Sequence, residues 1–175
     1  MEFRSVQLSR MRANEEANPA RYSRVIRFRE TDAGGVVYFA ELLAFCHEAY
    51  EAALAATGLD VRAFFSRDGA AFEERGYAIA VPIVHTQADF FKPMFCGDRI
   101  TITLSPRQLT PNSFEISYAA FGDVGDESTA PKIAQALTRH VCIKTTERRR
   151  CQLPEALVAW IDSLSEHLSE PLGPT

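Results

Sequence analysis

No Cys-x-x-Cys pair occurs in this chain. Its four cysteines, Cys46, Cys96, Cys142 and Cys151, are scattered along it, which argues against a zinc knuckle or a dithiol redox motif and predicts reduced thiols. The four histidines (His47, His85, His140, His167) lack the close spacing of metal ligands, so no metal site is expected. Long apolar runs are missing too, because charges interrupt every hydrophobic stretch before it reaches the length of a membrane span. The first twenty residues mix Glu2, Arg4, Arg10, Arg12, Glu15 and Glu16 and hold no apolar core of a secretory signal, so residues 1–20 are expected to form a disordered extension. Excess positive charge is also lacking: the formal net charge of −4 disfavours a nucleic-acid surface, which needs clustered cations. A soluble cytoplasmic protein without membrane or nucleic-acid partners is the expectation.

What is present suits one compact domain. The chain has 175 residues, 46% of them hydrophobic and 24% charged. Residues 22–29 alternate and are rich in aromatic and β-branched types, a strand pattern. Residues 30–35 interrupt it with Asp32 and the pair Gly34-Gly35, residues used where backbone bends or lies close to a ligand, so this is either a functional loop or a plain turn. A helix follows over 39–57, ended by Gly58. Its polar positions Glu41, His47, Glu48 and Glu51 fall in one arc and its apolar positions fill the rest, so the helix should be largely buried, as if a sheet curls round it.

Further on, a short helical turn is expected over 61–65, a polar connection over 68–76, and an extended run over 77–91 that Pro82 should disturb. Lys92, Pro93 and Gly97-Asp98 break the chain before an alternating strand at 99–107 and further strands at 113–121 and 132–145, with a turn at Pro111-Asn112 and a flexible acidic loop at 122–131. A C-terminal amphipathic helix should run from 154 to 167, within a terminal segment 154–175 that follows a main domain of residues 21–153. The order is a strand, a buried helix and four mainly consecutive strands able to meander antiparallel, an α+β arrangement in which one sheet wraps one apolar helix. The open edges of such a sheet would be satisfied by a second copy of the chain.

The run from Glu30-Thr31-Asp32-Ala33-Gly34-Gly35 to Val36-Val37-Tyr38-Phe39, leading into Cys46-His47-Glu48-Ala49, resembles the signature of the 4-hydroxybenzoyl-CoA thioesterase class of hotdog proteins. Asp89-Phe90-Phe91-Lys92-Pro93 with Cys96-Gly97-Asp98 is similar to the second block of that class. Within it, His140-Val141-Cys142-Ile143 and Arg148-Arg149-Arg150 most resemble the branch of cyanobacterial 1,4-dihydroxy-2-naphthoyl-CoA hydrolases of phylloquinone synthesis. The likeness covers roughly residues 22–154.

It implies a hotdog fold, hydrolysis of an aromatic acyl-CoA without metal or redox cofactor, and a homodimer or homotetramer with sites at subunit interfaces. A general acyl-CoA thioesterase and a non-catalytic acyl-CoA-binding module are the alternatives. Thioester hydrolysis needs a carboxylate, as nucleophile or as base toward water, and donors aimed at the developing oxyanion. Asp32 is placed in the first role, and the resemblance puts the Phe39 backbone N–H in the second.

Gly35 and Tyr38 are expected to contact substrate, Phe90 and Phe91 to line an aromatic pocket, and His85 to reach a substrate hydroxyl unless it is simply a core or interface residue. Lys144, Arg148, Arg149 and Arg150, with Arg107 a weaker candidate, suit the phosphates of coenzyme A, the alternative being a solvated charged turn. Glu30 is a competing acid at a strand end. Cys46 and His47 cannot form a nucleophile pair, because adjacent helical residues point about 100° apart.

Overall fold

The computed structural model describes residues 20–58, 79–122 and 130–167. All of the extension expected over 1–20 except Ala20, the turn at 61–65, the connection at 68–76, most of the acidic loop and the final tail lie outside the described residues; Ala20 itself is buried, its carbonyl accepting the Leu104 N–H at 3.0 Å, and so is not part of a disordered extension. Strands β1 (Arg21–Val25), β2 (Ile79–Ala80), β3 (Ile83–Phe90), β4 (Arg99–Thr110), β5 (Ser113–Gly122), β6 (Lys132–Val141) and β7 (Ile143–Lys144) accompany helices α1 (Glu41–Ala56) and α2 (Glu155–His167). Five strands form one antiparallel sheet in the order β1-β4-β5-β6-β3, while β2 and β7 pair separately.

Helix α1 forms where good helix formers (Glu, Leu, Ala) fill all but Phe45, Cys46, His47 and Tyr50 of its sixteen positions, and it stops as Thr57 Oγ1 donates to the Leu54 carbonyl and Gly58 turns left-handed at φ 79°. Leu42, Phe45, Cys46, Ala49, Tyr50, Ala53 and Leu54 are buried, against Ile100, Ile102 and Leu104 of β4 and Phe114 and Ile116 of β5 within one core. Each large side chain so buried contributes about 1.5–3 kcal/mol. Helix α2 closes the other flank with Leu157, Trp160, Ile161 and Leu164, Trp160 meeting the Tyr50 ring edge-on at 5.5 Å. Its N-terminal boundary falls one residue after the expected one, since Pro154 precedes it.

Three further expectations are corrected. β1 stops at Val25, and Phe28–Glu30 forms a 3-10 turn, leaving Phe28 82% exposed. At Ile26 the pairing becomes irregular: its N–H donates to the Asp98 carbonyl while its carbonyl accepts from Gly97, so the regular β4 ladder ends at the Val25–Arg99 pair. Helix α1 begins at Glu41 rather than 39. The last four strands also do not all meander: β4, β5 and β6 do, but β3 lies beyond β6 at the far edge. Residues 91–98 therefore cross the end of the sheet, three strand spacings of about 4.8 Å each, well within the reach of eight residues. The expected disturbance near Pro82 is seen as the gap between β2 and β3 and a register shift between Ile83 and His85.

Candidate active site

That crossing segment meets the Asp32 loop. Val37 N–H donates to the Met94 carbonyl at 2.9 Å, Val36 bridges to Phe95, and Met94 is buried beneath them. The loop closes on itself as well. Thr31 pairs with Val37, the Asp32 N–H donates to Val36 at 2.8 Å, the Gly35 N–H returns to the Asp32 carbonyl at 3.0 Å, and Gly35 supplies the required φ of 78°. The Tyr38 N–H then donates to the Glu30 carbonyl at 2.9 Å, so the chain enters α1 directly beside the point where the loop began.

Asp32 has both characters that its sequence allowed. Its Oδ1 accepts the Gly34 N–H at 2.7 Å, as a turn-forming aspartate does, yet its side chain is exposed on a cleft of about 520 Å³ shared with Tyr38, Phe39, Phe90, Phe91 and Lys92. Ala40 caps α1 without a side-chain acceptor, and the Phe39 N–H finds no acceptor among the described residues. Phe39, which stands just before the cap at the positive end of a sixteen-residue helix, thus lines the same cleft as the carboxylate. Tyr38 and Phe39 present their rings with centroids 4.6 Å apart, and all four aromatic rings of the cleft remain substantially exposed. Such rings offer flat apolar surface to a planar acyl group.

The other expected residues are dispersed. Gly35 shapes the loop and does not line the cleft. His85 is exposed on β3 opposite Arg139, also away from the cleft lining. Lys144, Arg148, Arg149 and Arg150 share a separate tight turn: the Lys144 N–H donates to the Arg149 carbonyl, the Arg148 N–H to that of Lys144, and Arg148 takes φ 57°. Arg107 is committed to Glu115, which also receives Arg139. Cys46 is buried, burial pushing its thiol up to about 12, while the exposed His47 faces Glu51 at 3.2 Å, so these neighbours form no nucleophile pair. Cys142 and Cys151 approach to 3.4 Å between sulfurs, an association their separation in sequence did not suggest. Among the described residues no group of three or more His, Cys, Asp or Glu could hold a metal ion, and no helix is long and apolar enough to cross a membrane.

Two contributors escaped the sequence reading. Lys92 is the cation on the cleft, though it stood inside the block that drew attention. Glu30, read as a strand-end acid, is entirely buried and bonded to Arg24 at 2.5 Å.

An antiparallel sheet cradling one apolar helix, whose N-terminal approach shares a cleft with a loop carboxylate, is the hotdog fold in its thioesterase form. The chain belongs to the thioesterase-like superfamily, whose family model matches residues 26–161. It is similar to the 1,4-dihydroxy-2-naphthoyl-CoA hydrolase of Thermosynechococcus vestitus, 42% identical over 149 residues that cover 85% of this chain and 92% of the relative. The enzyme of the same name from Rippkaea orientalis is 48% identical over 142 residues, covering 81% of this chain and 94% of its own. Among solved structures, a 1,4-dihydroxy-2-naphthoyl-CoA thioesterase from Synechocystis superimposes with a TM-score of 0.68 at 34% identity, covering 82% of this chain and 96% of that one.

Proposed function

We propose that this protein hydrolyses 1,4-dihydroxy-2-naphthoyl-CoA to 1,4-dihydroxy-2-naphthoate and coenzyme A, the thioester step of phylloquinone synthesis. The single observation that supports the chemistry is the cleft that Asp32 and Phe39 line together, walled by Tyr38, Phe90 and Phe91. The substrate assignment is supported by relatives of that name at 42% and 48% identity over most of the chain.

In this reading the naphthoyl ring lies among the aromatic side chains, and its carbonyl oxygen accepts the Phe39 N–H, where the helix dipole stabilises negative charge. Asp32 either attacks the carbonyl carbon or takes a proton from a water that attacks it. The tetrahedral oxyanion then collapses, the C–S bond breaks, and the coenzyme A thiolate leaves and is protonated. In the first route water hydrolyses the resulting anhydride and regenerates the carboxylate. No metal or redox cofactor takes part. Lys92 at the cleft and Lys144, Arg148, Arg149 and Arg150 on their separate turn are the cations assigned to the coenzyme A phosphates, while His85 is kept for contact with a substrate hydroxyl.

The protein is proposed to act in the cytoplasm as a homodimer or homotetramer. β3 is an edge strand carrying exposed Ile83 and Val84, apolar groups that a second copy would cover.

Thiol release from a panel of acyl-CoA thioesters tests the substrate, with naphthoyl thioester turnover expected to exceed that of aliphatic ones. Equal turnover would refute the assignment. Asp32→Asn is expected to lower kcat about 10²–10⁴-fold while coenzyme A binding persists. Single-turnover hydrolysis in ¹⁸O water separates the routes, label in the protein carboxylate marking covalent attack.

A further inference from the structure

We infer that Glu30 is a positioning residue for this hydrolytic site, keeping Asp32 and the Phe39 N–H in mutual register through its main chain and its buried carboxylate. The inference rests on the proposed hydrolytic role of Asp32. Glu30 cannot touch substrate, because none of it is exposed. It stands two residues before Asp32, and its carbonyl receives the Tyr38 N–H at 2.9 Å, one residue before the oxyanion donor. A single peptide group therefore spans both arms of the site.

The side chain clamps that peptide to the rest of the fold. Oε2 accepts the Arg27 N–H at 2.8 Å and Oε1 accepts Arg24 Nη2 at 2.5 Å, with Arg29 at 3.4 Å. Arg24 is itself only 7% exposed, lies 3.8 Å over the Phe45 ring, and gives Nη1 to Glu48 of α1 at 2.6 Å. The Tyr22 hydroxyl donates to the same Glu48 oxygen at 3.1 Å. β1, the Asp32 loop and α1 are thus joined through two carboxylates and one guanidinium, so loop and helix start cannot shift independently. Burial raises the Glu30 pKa, but the Arg27 N–H and the Arg24 charge outweigh it and hold the carboxyl below its ordinary value, so it is ionised at neutral pH.

An isosteric Glu30→Gln exchange turns one acceptor into an NH₂ group that must face either the Arg27 N–H or the Arg24 guanidinium, donor against donor. The expected result is a kcat lowered about 10- to 100-fold with KM changed less than about 2-fold, since small misplacement of reacting groups costs rate rather than binding. Glu30→Asp, which keeps the charge, should restore most of kcat. In an Asp32→Asn background, Glu30→Gln should change the residual rate by less than about 2-fold, because residues acting as one unit are not additive.

Equal kcat for the Gln and Asp variants, or a full further loss in the Asp32→Asn background, would overturn the positioning role. Undiminished hydrolysis by Asp32→Asn would instead overturn the underlying site. Should Glu30→Gln not fold, Arg24→Lys carries the test, as it keeps the charge but cannot fork to Glu30 and Glu48 together. A lowered kcat at unchanged KM supports the role, and an unchanged kcat ends it.

Discussion

The Gly34 N–H donates to Asp32 Oδ1 across 2.7 Å, which orients the carboxylate without burying it. One oxygen is occupied by this bond, so the other is the atom the proposed hydrolysis would use. A Cβ added at Gly34 would stand 3.1 Å from Oδ1, closer than ordinary contact. Gly34→Ala is therefore expected to turn the carboxylate and lower kcat about 10-fold, with stability changed by less than about 0.5 kcal/mol. At Gly35 a Cβ meets nothing within 4 Å, but φ 78° strains any other residue, so Gly35→Ala should cost about 1–2 kcal/mol in a urea titration.

His140 sets an acid limit on stability. It is stacked on Phe114 with centroids 4.5 Å apart and rings 5° from parallel, and Nε2 pairs with the Thr138 hydroxyl at 2.9 Å. Burial pushes its pKa down from 6.5 to about 4, against a smaller upward pull from Val81. In the unfolded chain the imidazole binds a proton as pH falls below 6.5, while in the folded chain it stays neutral until about 4. Stability conferred by the neutral ring is thus present above pH 6.5 and is lost as pH falls toward 4, by up to about 3 kcal/mol. Denaturation midpoints between pH 7 and pH 4.5 should fall steadily in the wild type and fall less in His140→Phe, which retains the stacking surface.

Glu30 and Glu115 fail at lower pH. Salt bridges from Arg107 and Arg139 lower the pKa of Glu115 more than its burial raises it. A depressed carboxyl stabilises above its unfolded value of 4.5 and loses that contribution as pH falls below it. Glu115→Gln should therefore flatten the stability profile below about pH 4.5, and leave the histidine-dependent interval above it unchanged. Midpoints measured from pH 5 to 3 check this.

The exposed arginine turn gives a binding prediction. Arg149→Ala with Arg150→Ala is expected to raise KM for a coenzyme A thioester about 30-fold, each guanidinium–phosphate bond contributing roughly 1 kcal/mol. The same acyl group carried on N-acetylcysteamine, which has no nucleotide phosphates, should keep its KM. Parallel losses for both thioesters would place the arginines outside phosphate recognition.

The open edge gives an assembly prediction. Val84 is 58% exposed on β3, and Val84→Lys puts a charge where a second chain would pair. Sedimentation should then show lower mass than for the wild type, with hydrolysis reduced if the site is completed across the boundary.

Local chemistry made much of this legible. Apolar positions around α1 predicted a helix buried on most of its surface, because helical period and burial are written residue by residue. β4 alternated as expected and β5 formed where a strand was expected, and Asp32 before Gly34-Gly35 marked the loop that carries the candidate carboxylate. The early end of β1 was not legible: Ile26 still alternates correctly, and the irregular pairing there, with Gly97 and Asp98, is not written in the local pattern.

By itself, then, the sequence determined which segments would fold as helix or strand, which residues could supply a carboxylate and a free helix-start amide, and which family signature they carry. Tertiary structure alone decided that β3 lies beyond β6, that residues 91–98 cross the sheet end to bring Phe90, Phe91 and Lys92 to Asp32, and that Glu30 is buried against Arg24. The reason is physical. Secondary structure and turns follow from interactions a few residues apart, whereas strand neighbours and buried ion pairs depend on closing long loops, whose outcome no local pattern records.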